Sequence, residues 1–354
     1  MATLQDIAKK AGVSRRTAAA VLSGEHKPKR PTALKRAAKV KAVASKMGYR
    51  PNAYAKAVRS GTFGSIALLL STHLGKSRLP PQTLHGICYA LSERELHLTV
   101  GELPDVRLTD SGYVPKILRE WCSDAMLINY TGEIPLKMIN IIEDMDQPAV
   151  WLNRKHDHDC VYPDDAAFGR QATEAVLRAG HRRVVYVDWG TGWDRLNEAH
   201  YSQRDRQDGY EQAMKDAGLT AECLRRSDTD GNADPMESLK DTVGRLLASD
   251  NRPTAFVAYS SAYVRVLAAT ARSLGLGVPD DVSLVGVGAS DDVLDDNMMI
   301  SVVAVPEREY GRAGVLLALE KLEAPDGKRM KAVAVKPTKA VGGETITTPR
   351  ETSQ

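Results

Sequence analysis

The chain is short of several things, and each shortage removes a class of function. Its 354 residues include four cysteines, Cys88, Cys122, Cys160 and Cys223. They lie far apart with none of the paired spacings of a metal site, so reduced thiols and no bound metal are expected. No apolar run approaches the roughly 20 residues needed to cross a bilayer. The opening Ala2-Thr-Leu-Gln-Asp6 lacks the basic-then-apolar pattern of an export signal. A cytoplasmic protein without membrane contact is the expectation. Also missing are a nucleophile elbow, a phosphate-cradling Gly-Lys loop and clustered metal ligands. His156, His158 and Asp159 form a polar run, but one loop segment without a partner reads as surface. Neither an enzyme nor a cofactor is expected.

Acidic residues are nearly absent from one region. Residues 1–60 hold 15 Lys/Arg against Asp6 and Glu25, net +13, while the other 294 residues are net −10, which gives the overall +3. A basic head on an acidic body fits a polyanionic partner, bound with steep salt dependence through counterion release. A chain of this length has room for two or three domains and a sizeable core.

What is present begins at Thr3, which can cap a helix buried through Ile7, Ala8 and Ala11. Gly12 supplies a tight corner because it tolerates positive φ. Ser14 caps a second helix facing inward through Ala18, Val21 and Leu22. Two short helices about a Gly-centred turn form a helix-turn-helix unit, whose second helix is free to enter a DNA major groove. An ordinary helical hairpin is the alternative for this stretch alone.

Thr3, Leu4, Asp6, Ile7, Ala8, Ala11, Gly12, Val13, Ser14 and Thr17, followed by Gly48, Tyr49, Pro51, Asn52 and Ala55, stand in order at the start of the chain. They resemble the LacI/GalR family of bacterial transcription regulators, which reads T-L-x-D-I-A-x-x-A-G-V-S-x-x-T, then a third helix, then G-Y-x-P-N-x-x-A. The resemblance implies a helix-turn-helix domain over 1–50, a hinge helix and linker over 51–62, and a body over 63–341. A polar tail, 342–354, lacks a leucine heptad, so no added tetramerisation helix is expected.

Within the head, Arg15 and Arg16 open the second helix, where they can reach base edges or phosphates; solvated surface charge is the alternative. Thr17 can donate to a phosphate. Relatives continue this helix with polar residues, whereas here stand Ala18, Ala19 and Ala20. Alanine can touch a thymine methyl but makes no hydrogen bond. The basic, proline-broken stretch Gly24 to Pro31, with Lys29 and Arg30, suits phosphates. Thr32 is then the expected cap of a third helix with Leu34, Ala38, Val40, Val43 and Met47 as core positions. This region is about four residues longer than the family pattern, enough for one helical turn of about 6 Å or a longer loop. By resemblance, Thr3, Ser14 and Tyr49 join the DNA-binding set, and 51–61 is a hinge helix that pairs with its dimer mate in the minor groove. Asn52 and Ala55 fit it, Arg59 adds a phosphate contact, and Val58 replaces the family's wedging leucine, leaving full insertion open.

From Phe63 onward, apolar runs alternate with amphipathic stretches. Strands are expected at 65–70, 97–100, 125–129, 149–152, 184–187, 255–258 and 283–287. Such runs separated by helices indicate parallel strands covered on both faces, here two α/β lobes with a ligand cleft between them. The resemblance continues through Asp164 to Gly169, Gly180 to Tyr186, Arg206 to Tyr210 and Gly275 to Gly286, implying the periplasmic-binding-protein fold and a small-molecule effector, a sugar or sugar derivative. By position, Arg206 would meet a ligand hydroxyl or anion, with an interlobe salt bridge as the alternative. Ser71, Asn153 and Ser260 line the cleft. Trp189 and Trp193 stack on a sugar or serve as packing. The family's aspartate appears as Gly288, with Asp291 and Asp292 displaced; its Asn-Asp pair is Ser260-Ser261. These departures make a common monosaccharide a poor fit. Leu84 to Leu91 and Pro115 to Trp121 correspond to dimerising surfaces, so a homodimer on a near-palindromic double-stranded operator is expected.

The reading is a sequence-specific DNA-binding regulator, a repressor, under small-molecule control. A regulator that has lost its effector is the alternative. A solute-binding module is disfavoured by the basic head.

Overall fold

Thr3 starts the first helix as its sequence demands. In a computed structural model of the chain, its Oγ1 accepts the Asp6 N–H at 3.3 Å, and the Asp6 carboxylate takes the Thr3 N–H at 2.9 Å. This reciprocal capping box satisfies donors that the first turn cannot. The structure describes residues 2–23, 30–49, 61–104, 107, 113–120, 122–131, 136–144, 147–190, 200–226, 234–294, 297–325, 327–338 and 341–350. Lys29, Trp193 and the expected hinge residues Asn52, Ala55, Val58 and Arg59 lie outside them.

Two compact units divide the chain: Met1–Ser65 with Cys122–Asp124, and the remainder. The first contains α1 (Leu4–Ala11), α2 (Arg15–Leu22) and α3 (Pro31–Lys46). Gly12 ends α1 at φ 70°, and Ser14 caps α2 by accepting the Thr17 N–H at 3.1 Å. Ile7, Ala8, Ala11, Ala18, Val21, Ala37, Val40 and Ala44 make the core of the three helices.

The expectations for α3 need correction. Arg30 holds the capping position without a side-chain bond, and Pro31, not Thr32, opens the helix. Proline suits that place because its missing N–H would have no helical partner. Its buried positions are Ala37, Val40 and Ala44, while Leu34 is 51% exposed and Ala38 is exposed. Alanine stands on both sides of this helix, Ala37 and Ala44 inward and Ala38 and Ala42 outward, so residue type alone does not mark its inner face.

Also in this unit, three successive N–H groups converge on one carboxylate. Phe63 and Gly64 donate to Asp124 at 2.7 Å each and Ser65 at 3.2 Å.

The second unit holds two lobes. In the first, β1 (Ser65–Ser71), β2 (His97–Leu103), β3 (Ala125–Asn129), β4 (Ala149–Leu152), β5 (Cys160–Pro163) and β11 (Val333–Val335) form a sheet in the order β11-β5-β4-β3-β1-β2. β1 and β3 run parallel, Ile66 opposite Ala125 through Leu70 opposite Asn129. On one face Ile66, Leu68, Leu127 and Leu152 meet α4 (Pro81–Ser92) and α11 (Glu307–Glu323). On the other, Ala67, Leu69, Met126 and Ile128 meet α5 (Lys116–Arg119) and α6 (Leu136–Glu143). Burial of both faces is why these strands read as unbroken apolar runs. Helix α5 is shorter than the expected Pro115–Trp121 stretch.

The second lobe has β6 (Val184–Asp188), β7 (Glu222–Arg225), β8 (Ala255–Ala258), β9 (Ser283–Gly288) and β10 (Val302–Ala304), ordered β10-β9-β8-β6-β7 with every pair parallel. Helices α7 (Asp165–Arg178) and α8 (Tyr201–Asp216) cover one face; α9 (Pro235–Leu247) and α10 (Ser261–Ser273) cover the other. The chain passes between lobes after β5, after β10 and after β11, so each lobe is built from separated stretches of sequence.

Residues 341–350, which include the start of the polar stretch expected from 342, are stitched into the second lobe. Leu284 N–H donates to the Thr345 carbonyl at 2.7 Å, Thr345 is fully buried, and Arg350 pairs with Asp281 at 2.6 Å.

Glycine sets the closest helix crossing. A Cβ on Gly169 of α7 would stand 2.0 Å from the Arg206 carbonyl, and one on Gly209 of α8 would stand 2.0 Å from that of Ala166. Only hydrogen fits at either point, so the two backbones touch and Arg206 is delivered beside Asp165.

Candidate DNA interface and interlobe cleft

Helix α2 is short, and its two sides differ sharply. Ala18 and Val21 are buried, whereas Arg15 and Arg16 are exposed and Ala19, Ala20 and Ser23 are half-buried. At about 100° per residue, Arg15, Ala19, Ser23, Arg16 and Ala20 fall within an outward arc of about 140°. The hydroxyls along this helix are engaged: Ser14 and Thr17 bond to each other at 2.8 Å, and Ser23 donates to the Ala20 carbonyl at 3.3 Å. Of the expected set, Thr3 and Ser14 thus serve first as helix caps. Arg30 is exposed at the head of α3. Tyr49 packs against the helical core, its N–H on the Ala44 carbonyl at 2.9 Å.

In the body, the strand ends of the two lobes converge on a polar network. Asn153, just beyond β4 with φ 54°, presents its carbonyl to His200 Nε2 at 2.9 Å across the cleft. A carbonyl can only accept, so Nε2 carries the proton and Nδ1 is the acceptor. Ser202 Oγ lies 2.7 Å from Nδ1 and 2.8 Å from the Tyr259 hydroxyl. The resulting chain of hydrogen bonds runs from Tyr259 through Ser202 and His200 to the Asn153 carbonyl. Burial holds the His200 imidazole below its ordinary pKa, against the contrary pull of its bond to Asn153. Tyr201 adds bonds to the Asn153 side chain and the Pro163 carbonyl at 3.4 Å, and Lys155 reaches Asp205 of α8 at 2.6 Å.

Arg206 lies at the centre. Its Nε donates to Asp165 at 2.6 Å and its Nη1 to the Tyr259 carbonyl at 2.7 Å, with the guanidinium 4.5 Å from the Tyr259 ring centre. The side chains of Arg206 and Asp165 are 12% and 1% exposed. Burial opposes the charge on Arg206, but Asp165 outweighs it and holds the guanidinium above its ordinary range. Both partners belong to the second lobe, so the alternative of an interlobe bridge is corrected: the pair joins α7 to α8. The rest of that motif is structural as well. Gly209 makes the helix crossing, and the Tyr210 hydroxyl donates to the Val184 carbonyl and takes the Glu222 N–H, both at 2.9 Å.

The other expected effector residues are dispersed. Ser71 is buried, and its Oγ accepts the His73 N–H at 2.9 Å, shaping the loop that Ser77 closes onto the Asn129 carbonyl at 2.5 Å. Trp189 is 2% exposed within the core of the second lobe, so packing, not sugar stacking, is its place here. Its indole N–H is buried with no hydrogen-bond partner among the described residues. Ser260 precedes α10 without a side-chain capping bond. Asp291 is exposed; the carboxylate that returns toward the cleft is Asp292, which accepts the Ala289 N–H at 3.1 Å and pairs with Arg265 at 3.0 Å. A Cβ on Gly288 would stand 2.6 Å from Asp292 Oδ2, so this displaced aspartate occupies space that a side chain at 288 would take. Cavities of about 220 and 240 Å³ open elsewhere in the second lobe, the first against Arg272 and Leu294, the second against Met299 and Gly342. Sequence reasoning missed Asp165, His200, Ser202 and Tyr259; only Asp165, inside the Asp164 to Gly169 motif, left a signal.

Among the described residues no group of three His, Cys, Asp or Glu is placed to hold a metal, and no helix is long and apolar enough to cross a membrane.

Comparison with known proteins agrees with this geometry. The family model for bacterial regulatory proteins of the lacI family matches residues 3–52, and that for the periplasmic binding protein-like domain matches 173–346. A probable opine utilization operon repressor of Rhizobium rhizogenes is 30% identical over 154 residues, covering 42% of this chain and 74% of that protein. The transcriptional repressor PurR of Photobacterium profundum is 25% identical over 339 residues, 93% of this chain and 94% of the repressor. Among solved structures, the lac repressor dimer bound to operator and the anti-inducer ONPF superposes with a TM-score of 0.71 at 18% identity, covering 98% of this chain and 99% of that one. A capped helix-turn-helix unit joined to two parallel-sheet lobes, with relatives along nearly its whole length, places the chain in the lacI family of bacterial regulatory proteins, as a DNA-binding transcriptional regulator.

Proposed function

We propose that this regulator is a cytoplasmic homodimer and repressor, reading a near-palindromic operator with paired heads and releasing it when a small molecule changes the closure of its lobes. The observation that supports the DNA half most strongly is the outward arc of α2, with Arg15 and Arg16 exposed at its start. Binding of sequences from random duplex DNA tests it. The full-length protein selects a two-fold related site, and Arg15→Ala with Arg16→Ala loses that selection.

The effector half rests on the network between the lobes. A ligand moves a conformational equilibrium only through differential affinity for its states. An effector entering here must exchange its own hydroxyl or carbonyl groups for the bonds among Asn153, His200, Ser202 and Tyr259. That requirement favours a polyhydroxylated or acidic sugar derivative over an apolar ligand. The same network supports a second reading, in which internal partners replace a ligand and DNA binding is unregulated. Thermal shift against neutral and acidic sugar derivatives decides between them: a saturable rise in Tm with reduced operator affinity supports control, and a uniformly flat response supports its loss.

A further inference from the structure

Helix α2 offers unusually little for hydrogen bonding to bases. Its outward arc carries Arg15 and Arg16 in the first turn, then Ala19 and Ala20, then Ser23, whose hydroxyl is turned back onto the Ala20 carbonyl. Ser14 and Thr17 are bonded to each other. The second turn therefore presents methyl groups and bare backbone at the place where a groove-reading helix would carry amides. Ala19 and Ala20 are accessible, while Ala18 beside them is fully buried in the head core, so the alanine run serves two different surfaces.

In the major groove, thymine alone of the four bases displays a methyl group, and an alanine side chain complements it by apolar contact. A guanidinium pairs instead with the two acceptors of guanine. We propose that Ala19 and Ala20 are specificity-determining residues that read thymine 5-methyl groups, placed within about two base pairs of a guanine read by Arg15 or Arg16. The spacing follows from the helix: Arg15 and Ala19 are four residues, about 6 Å, apart along the axis, against about 3.4 Å per base pair. An alanine methyl reaches little beyond the helix backbone, so contact with a thymine methyl needs a close approach of this turn to the base edges. The proposal rests on the reading of α2 as the groove-entering helix.

The test uses wild-type, full-length protein and the duplex that it selects. Each thymine of a half-site is replaced singly by deoxyuridine, which pairs identically but lacks the methyl. Loss of one buried methyl contact weakens binding by about fourfold. The expected result is such a loss at one or two thymines beside a guanine, with all other positions within about 1.5-fold by the same measure. In the Ala19→Gly or Ala20→Gly protein, checked for folding by circular dichroism, the uracil penalty at the partner position disappears. Uniform indifference to uracil in a site that is nonetheless selected overturns the methyl reading and leaves the regulator intact. A penalty that persists in both glycine variants overturns the assignment to these residues. Failure to select any site overturns the groove-entering role of α2, and this proposal with it.

Discussion

Replacing Arg206 by methionine keeps the volume of the side chain and removes its charge. Asp165 would then remain as a carboxylate, 1% exposed, without its 2.6 Å partner. Breaking a buried pair by removing one member costs about 3–5 kcal/mol, because an uncompensated charge is left behind. Asp165 opens α7, and the helix N-terminus recovers about 0.3–1 kcal/mol of that. A net loss of about 3 kcal/mol is expected, a fall in Tm of about 5 °C for a body of this size. Asp165→Asn is milder, since the amide oxygen still accepts from Nε and the Tyr259 carbonyl and ring still hold the cation. The double variant costs less than the sum of the two, with a coupling of about 1–3 kcal/mol. Urea unfolding of the four proteins, followed by fluorescence and circular dichroism, measures the cycle. The reasoning is refuted if Arg206→Met lowers stability by under about 1 kcal/mol, below the range for breaking a buried pair, or if the two changes simply add. Either result would mean that the guanidinium is held for a ligand and not for Asp165.

Three further perturbations follow from the same structure. Gly209→Ala sets a Cβ 2.0 Å from the Ala166 carbonyl, which must move, so a loss of about 1–3 kcal/mol in denaturant unfolding is expected where an exposed helical glycine would have gained. Thr3→Ala removes the cap of α1 and costs about 1 kcal/mol, read as a lower melting point of the head and weaker operator binding. His181 and His200 are both held below their ordinary 6.5 by burial, so the native body binds fewer protons than the unfolded chain. Their contribution to stability is complete above 6.5 and is lost as pH falls below it. The urea midpoint should drop between pH 7 and 5 in the wild type and less so in His181→Gln, whereas an unchanged midpoint would show these imidazoles to be solvated.

Much of this architecture was legible because each signal had one physical source. Runs such as Ile66 to Leu70 and Ala125 to Ile128 are apolar throughout because both faces of their strands are covered. Thr3, Gly12 and Ser14 announce helix ends through donors and dihedral angles that few other residues satisfy. Some of the shortest strands escaped notice. Glu222–Arg225 sets two adjacent apolar residues between two charged ones, neither an alternation nor an apolar run, and Val333–Val335 has only three residues, too few for a pattern. In α3 the signal was diluted by alanine on every side, so Val40, Val43 and Met47 were placed on the inner face, but Leu34 and Ala38 were read inward while Ala37 and Ala44 were passed over. The cleft was the least legible part. Arg206 was found by position, but its partners come from a helix 41 residues earlier and a strand end 53 residues later, distances that no local pattern spans. His200 and Ser202 stand in a polar stretch without periodicity, and only the fold gives them each other.

The threefold passage of the chain between the lobes has a consequence for synthesis on the ribosome. Helix α11 closes the first lobe so tightly that a Cβ on Gly314 would stand 2.6 Å from Leu152. Until that helix has emerged, Leu127 and Leu152, on strands made long before, are left uncovered. The second lobe is held open later still, until the stretch around Thr345 arrives to pair with Leu284 and Ser301. Helices α1 to α3, by contrast, have their entire core once Tyr49 is made. A nascent chain therefore carries a finished DNA-reading head ahead of a body whose two halves wait on sequence made after both have begun. Pauses or truncations beyond the head would release protein able to grip DNA but unable to answer a signal, and nascent body segments would depend on chaperones that shield apolar sheet faces.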